Sequence, residues 1–419
     1  MRHYGFLIRK LCFLGSILLF LLSGCQPQPT AQLADAPTVV PDPSPSSHPA
    51  FQIPSSSSTP IDLQAPTSTS SLSSPSVALD ALRPTLQASP SSSSTLSPPS
   101  TSTPPAVLQP PPASTTLLFT GIIVPARCVQ AALDANGNPD YPYEEVRNII
   151  SGADLAVGTF NATMSDASPH TGCISTYVLV GSPNNADALA RAGFDVMSVA
   201  TNHIKNCNSN TCGDRAFFDT QANLQRVGIL PVGAGKNLAE AMQPVVVTVN
   251  GFRFGFVSLG QIEPMAFAGQ DSPGIAVLNE ENLRSAIAAA RQVSDVVIAM
   301  PHWGPEDVPV PNWSQRNLAR VAVEAGADLV VGNHTHVIQA VQEIDGVKVF
   351  YGLGNFVFDQ GLQDHKQGVI LKIKFEGTHL VGYELIPTHV DGDGRVHLAG
   401  PQESTEILWR IDQASRAIK

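Results

Sequence analysis

The sequence predicts an α/β protein, a four-layer α/β/β/α sandwich in which two mixed sheets pack face to face with helices outside. Three observations carry that expectation. Beyond about residue 116, short apolar runs alternate with helix-like segments in both halves of the chain. Turn signals at Asn250–Gly251, Asp345–Gly346 and Glu376–Gly377 insert hairpins among these units, so the sheets are mixed rather than wholly parallel. Three apolar runs end in imidazole or carboxamide groups: Val196–Ala200 before Thr201–Asn202–His203, Val296–Met300 before Pro301–His302–Trp303–Gly304, and Ala327–Val331 before Gly332–Asn333–His334–Thr335–His336. In open α/β sheets ligands bind beyond the carboxyl ends of the strands, so these groups converge on one candidate site.

The elements follow in order. Thr116–Val124 reads as a strand, a helix is expected near Tyr143–Ile150, and Leu155–Phe160 is a second strand. Ser182–Pro183 starts a helix that Gly193 stops. Val196–Ala200 is a buried strand, followed by a helix near Ala216–Val227 and a strand at Ile229–Val232. Pro244–Val249 and Phe252–Ser258 form the first hairpin. Asn279 caps a helix through Val293, Val296–Met300 is a strand, Trp313–Ala325 is a helix ended by Gly326, and Leu329–Gly332 is a strand. Val341–Ile344 with Val347–Tyr351, then Gly368–Phe375 with His379–Leu385, make the later hairpins, and Ser404 caps a final helix.

The first quarter of the chain reads differently. Residues 1–25 have a basic start (Arg2, Arg9, Lys10), an apolar stretch Leu11–Leu22, and then Ser23–Gly24–Cys25. That is an export signal, too short for a comfortable membrane span. Leu22–Ser23–Gly24–Cys25 resembles the lipobox of bacterial lipoproteins, which implies lipidation of Cys25 and an extracytoplasmic, membrane-anchored protein. Residues 26–115 are dominated by Pro, Ser and Thr; with so little to bury they are expected to form a disordered linker. A domain at 116–390 and a C-terminal extension at 391–419 packing on it complete the organisation.

The net charge is −11 and no basic stripe is present, which argues against nucleic acid as a partner. Six cysteines occur; with Cys12 in the signal and Cys25 lipidated, four remain. An even number in an exported chain favours disulfides. Cys207 and Cys212 are close enough to staple a short loop, and Cys128–Cys173 follows by elimination. A zinc site built from all four is the alternative, without a Cys-x-x-Cys pair to support it.

Singly, a histidine after a strand is more often a hydrogen-bonded loop residue than a ligand. Together, four of the eleven histidines sit on such ends. His334 and His336 are two residues apart, so in an extended segment they point to the same side. Neutral imidazoles and a carboxamide oxygen suit zinc, manganese or iron. Trp303 and Trp313 could line a groove, although packing is the commoner use. Gly233–Ala234–Gly235–Lys236 lacks the spacing of a phosphate loop. His170, His365, His379, His389 and His397 read as surface residues, Asp359 reads equally as a supporting residue or a solvated loop charge, and Ser198 and Ser258 lack the neighbours for nucleophilic catalysis.

Several stretches resemble one family. Ala153–Gly158, Gly193–Val196 through Thr201–Asn202–His203, Pro301–Gly304, Glu324–His336 and Tyr351–Asp359 are similar, in the same order, to the CapA family of poly-γ-glutamate capsule-synthesis proteins. That family shares the fold of the calcineurin-like metallophosphoesterases, in which two ions activate a water. The resemblance implies a metallophosphoesterase-like sandwich. It also implies that Asn202, His302 and His334 ligate one metal, that His336 ligates the other, and that His203 assists the leaving group. Asn355 would support the site.

Two positions depart from the family. Its members usually carry Gly-Asp after the first strand and Gly-Asn-Leu-Glu after the second, with Asp and Glu as acidic ligands. This chain has Gly121–Ile122 and Gly158–Thr159–Phe160–Asn161. Without those carboxylates two adjacent divalent ions repel uncompensated, leaving room for one divalent ion, zinc or manganese, or for none. Asp154 and Asp166 are the nearest substitutes in sequence. The expected function is synthesis, export or anchoring of an anionic polymer such as poly-γ-glutamate, in company with that polymer or with capsule-synthesis membrane proteins. The alternative is a metal-dependent hydrolase, a phosphoesterase or amidase-like enzyme, working with a one-metal remnant.

Overall fold

The computed structural model describes residues 113–207 and 212–419. The signal segment, Cys25 and nearly all of the linker lie outside those residues. Among the described residues no helix is long and apolar enough to cross a membrane.

The first sheet contains β1 (Ser114–Ile123), β2 (Leu155–Phe160), β3 (Val196–Ser198) and β4 (Leu230–Val232), with α1 (Cys128–Asn136), α2 (Asn184–Ala192) and α3 (Gly213–Arg226) as the longer helices of the connections. The second contains β5 (Val245–Val249), β6 (Phe252–Gly260), β7 (Val296–His302), β8 (Leu329–Val331), β9 (Val341–Ile344) and β10 (Val347–Phe350), with α4 (Glu280–Val293) and α5 (Trp313–Glu324). The chain then returns to the first sheet through β11 (Asn355–Val357), β12 (Gln367–Glu376), β13 (His379–Val390) and β14 (Val396–Leu398), and ends in α6 (Pro401–Arg416). The sheet orders are β14-β13-β12-β1-β2-β3-β4, with β11 also on β1, and β9-β10-β8-β7-β6-β5.

Alternation along the strands builds three apolar layers. Leu117 and Phe119 of β1 face Phe254, Ile298 and Leu329 of the other sheet. Leu118 and Ile122 face outward onto Val129 of α1 and Leu189 of α2. Val297 and Ala299 of β7 face outward onto Ile287 of α4 and Leu318 of α5. Helix, sheet, sheet and helix therefore stack as the four-layer sandwich expected. Ile407 and Ile411 of α6 join the layer between the sheets.

The hairpin turns place Asn250 and Gly251 at φ 51° and 84°, and Asp345 and Gly346 at 48° and 83°. Paired left-handed residues of this kind match the twist of the flanking strands. Asn279 and Asn312 cap α4 and α5 by accepting the backbone N–H of Asn282 and Gln315.

Elsewhere the elements differ from expectation. The helix near Tyr143–Ile150 is a 3₁₀ turn, Tyr141–Tyr143, and one α-turn, Arg147–Ile150; Pro142 suits only a helix start, and burial of Tyr143 edge-on to Phe194 captures the segment. Helix α1 went unread, although Val129 and Leu133 at i, i+4 and Gly137 in the left-handed conformation signal it. Ser404 is no cap; α6 starts at Pro401, and the Ser404 hydroxyl donates to the carbonyl of Ala399.

One device recurs four times. Asp154, Asp195, Asp295 and Asp328 stand just before β2, β3, β7 and β8, and each accepts a neighbouring strand's N–H on its carboxylate. The donors are Thr116, Ala156, Arg253 and Val297, at 2.7, 2.8, 2.8 and 2.7 Å. Each Asp also donates its own N–H to the carbonyl of the same partner residue. The pair of bonds fixes the register of parallel strands at their amino edge, where a one-residue slip would turn every side chain over. Asp154 is therefore committed at the edge where β2 begins, and does not replace a ligand beyond the end of that strand. Asp195→Ala strands the N–H of Ala156 and should cost about 1–3 kcal/mol by urea denaturation, with a smaller loss for Asp195→Asn; equal stability of Asp195→Ala and the parent would remove the register role.

Candidate functional site

The carboxyl ends of the parallel strands meet between the sheets. Ser198 of β3 and Ser258 of β6 share a hydrogen bond of 2.7 Å there, so their hydroxyls serve as a buried inter-sheet tie. Beyond them, Asn161 follows β2, Asn202 and His203 follow β3, His302 ends β7, and Asn333 to His336 follow β8. All are buried.

The orientation of these groups follows from one backbone donor. The His203 N–H donates to Asn161 Oδ1 at 2.9 Å, so the other end of that amide is Nδ2, which donates to Asn202 Oδ1 at 3.1 Å. Asn202 thus presents an oxygen, not a nitrogen, to His302 Nε2 at 3.0 Å. His334 Nδ1 lies 3.2 Å from the same Nε2. These three atoms converge, and besides the bond from Asn161 a ring proton can serve only one of the two contacts at His302 Nε2 at a time. His302 Nδ1 is buried without a partner among the described residues, so no acceptor behind the ring fixes its tautomer.

His334 and His336 are not in an extended segment. The chain bends after β8, with φ 107° at His334 and 58° at His336, a conformation unusual for residues with a Cβ. The bend, not strand alternation, brings their rings within 6.1 Å of each other. Backbone strain held in place by surrounding structure is a recurrent mark of functional sites. The anchor beneath it is visible: Gly332 lets Trp303 Nε1 donate to the carbonyl of Tyr351, and a Cβ at 332 would meet both atoms at 2.4 Å. Trp303 is accordingly a packing residue, stacked on Tyr351, whereas Trp313 is exposed on α5.

His336 Nδ1 lies 2.8 Å from Asn355 Oδ1 at the start of β11, which places Asn355 in support of the site. His203 Nδ1 lies 2.7 Å from Asn206 Nδ2, and the ring of Tyr177 stacks against the His203 ring at 6.1 Å. The Tyr177 loop is tied down by the Cys128–Cys173 disulfide and by Arg127, which donates to the carbonyl of Thr176 at 3.2 Å. The second disulfide joins Cys207 to Cys212. Of the two readings of Asp359 the solvated one fails: its side chain is 3% exposed, paired with Arg127, and accepts the Cys128 N–H at 3.0 Å.

Sequence reasoning missed three groups. His365 is buried, not on the surface, with Nε2 2.5 Å from Asp307 and its ring 6.3 Å from His336. Glu306 Oε1 lies 4.0 Å from His334 Nε2 and 3.8 Å from His336 Nε2. Asn161, noted only as a lost carboxylate, is the clamp that orients Asn202. The His302–Trp303–Gly304–Pro305–Glu306–Asp307 run carried a signal for the two acids. By contrast His170, His389 and His397 pair with carboxylates away from this edge.

Burial holds all four site imidazoles neutral, and the neighbouring rings add to the effect. His203 and His336 are pushed down to about 4, His334 to about 3, and His302 well below its ordinary value. Burial likewise raises Glu306.

The donor set fits one ion. Asn202 Oδ1 and His334 Nδ1 both lie near His302 Nε2, at 3.0 and 3.2 Å, and two neutral imidazoles with an amide oxygen are donors that zinc or manganese accepts. Two ions do not fit. Ile122 is packed in the helix-side core and Asn161 spends both ends of its amide on neighbours, so neither supplies charge. Among the described residues no three His, Cys, Asp or Glu side chains form a ready-made cage; the trio includes an amide. A cavity of about 580 Å³ beside α6, lined by Tyr383, Leu408 and Asp412 among others, holds none of these histidines.

A family model described as bacterial capsule synthesis protein PGA_cap matches residues 116–360. The chain belongs to this family. PGA biosynthesis protein CapA of Bacillus subtilis (strain 168) is 27% identical over 307 residues, covering 70% of this chain and 79% of that protein. Capsule biosynthesis protein CapA of Bacillus anthracis is 28% identical over 284 residues, covering 66% and 67%. Among solved structures, the NAD nucleotidase NadN of Haemophilus influenzae aligns with a TM-score of 0.41 at 11% identity, covering 72% of this chain and 56% of that one. The family match spans every strand-end group described above.

The buried neutral rings make a pH prediction. Their folded pKa values lie below the unfolded value of about 6.5, so the unfolded chain binds more protons at any pH between the two. Stability is therefore complete above about 6.5 and falls as pH drops toward 4. In chelator-treated protein the urea midpoint should decline steadily from pH 6.5 to 4.5; a flat midpoint over that window would show the rings to be solvated.

Proposed function

We propose that this chain acts in the synthesis, export or anchoring of an anionic cell-surface polymer such as poly-γ-glutamate, by binding rather than by efficient hydrolysis. The observation that carries the reading is the neutrality of the centre: the two family positions for acidic ligands hold Ile122 in the core and Asn161 in a hydrogen-bond clamp. A divalent ion, when bound by Asn202, His302 and His334, would supply positive charge for an anionic group. The chain's own residues leave that charge largely uncompensated, which suits attraction of a carboxylate chain. The relatives' names place them in capsule and PGA biosynthesis. The exported, lipid-anchored location belongs to the same proposal, with Cys25 as the anchor and capsule-synthesis membrane proteins as the neighbours.

The second reading, a one-metal hydrolase of phosphoester or amide bonds, is favoured by the convergence of Asn202, His302 and His334 with His203 close by. The two separate on purified protein loaded with zinc or manganese. Binding of poly-γ-glutamate that weakens as salt rises, with background turnover of a generic phosphodiester, is expected. Turnover well above background that is abolished in His302→Ala, without polymer binding, would give the second reading the site.

A further inference from the structure

We propose that a groove carrying Trp313, Arg316 and Arg320 is a second binding site for the anionic polymer, one that takes its carboxylates without a metal. The inference rests on the polymer reading above and adds a surface that the histidine centre does not include.

The groove, of about 370 Å³, lies between α5 and the β9–β10 hairpin, and none of the strand-end histidines lines it. Trp313, Arg316 and Arg320 stand at i, i+3 and i+7 of α5, on one face of the helix. Every other arginine among the described residues is in an ion pair with a carboxylate. The guanidinium groups of Arg316 and Arg320 make no ion pair or hydrogen bond with a described residue. The Nε of Arg316 is also buried without a partner. Arg147, Arg395 and Arg410 share that feature, but each spends a terminal nitrogen on an acid. A buried donor left unmet costs free energy that a ligand oxygen would recover.

The acids along the groove leave positive charge over. Glu343 is paired with Lys348 at 2.5 Å, so Asp345 alone stands against the two arginines. A guanidinium fork matches a carboxylate through two parallel hydrogen bonds. Four residues of helix separate the two forks by about 6 Å along the axis, which suits two acid groups on one chain better than a single anion. Trp313 is 72% exposed and offers a flat apolar face to the methylene carbons between those acids. Carboxylates repeated on a flexible aliphatic spacer are the chemistry of a polyglutamate.

The test is calorimetric titration of the chelator-treated full chain with poly-γ-glutamate of fixed length, since removing ions silences the histidine centre. Arg316→Gln with Arg320→Gln should weaken binding by at least about tenfold, and Trp313→Ala by a smaller factor. Lys236→Gln with Lys372→Gln removes the same charge from cations elsewhere that also lack an ion pair with a described residue, and should change affinity far less. Arg320 is exposed, so Arg320→Gln alone reads the loss if the double variant does not fold. Unchanged affinity in the arginine variants, or an equal loss in the lysine variant, overturns the groove. So does polymer binding that appears only when zinc or manganese is added, which leaves the histidine centre as the polymer site. Tighter binding of a single-stranded DNA oligonucleotide through the same arginines overturns the polymer as the occupant. A chain that binds no polymer with or without the ions defeats the polymer reading itself.

Discussion

Parallel strands end on the same side, and in this chain two sheets are set so that those sides coincide. β1, β2 and β3 of one sheet and β6, β7 and β8 of the other deliver their last residues to a common interior edge, where Asn333 Nδ2 reaches Thr159 Oγ1 across the gap at 2.8 Å. Residues 161, 202, 302 and 334 are far apart in sequence and neighbours only because of that convergence. The bend at His334–His336 and the Tyr177 loop are then fitted around an edge whose position is already set.

What that edge can do is governed by charge. Four imidazoles out of water cannot be protonated together, so they act as lone-pair donors and proton carriers of low affinity. The arrangement offers a cation several neutral ligands and little countercharge. The Arg127–Asp359 pair adds no net charge; it holds the Cys128 end of α1 and, through Thr176, the loop that lays Tyr177 against His203.

Legibility in the sequence followed the range of the interactions. Hairpins at Asn250–Gly251 and Asp345–Gly346, and helices capped by Asn279 and Asn312, are decided within a few residues and could be read directly. Asn202, His302, His334 and His336 were legible because each ends an apolar run, so strand placement alone brought them to the edge. Glu306 and His365 were not: a loop carries the first and the 3₁₀ helix Gln363–Lys366 the second, and only tertiary packing brings them beside His336. Asn161 was visible as a missing charge, but its work as a clamp depends on the His203 N–H, forty-two positions on. The premise of an extended Asn333–His336 segment failed for the same reason: Trp303 and Tyr351 beneath Gly332 dictate a bend that no local preference would choose.

The four aspartates have a consequence for how such a protein changes over time. They secure strand pairing at the amino side of each sheet, one strand length away from the imidazoles, and depend on nothing at the other end. An aliphatic residue at 122 or an amide at 161 can therefore arise while every strand stays in register. A change of chemistry at the carboxyl edge therefore needs no change of register at the other. Likeness gathered around Ala153–Asp154–Leu155 or Ala327–Asp328–Leu329 certifies the scaffold, and the chemistry is inherited or lost on a separate account.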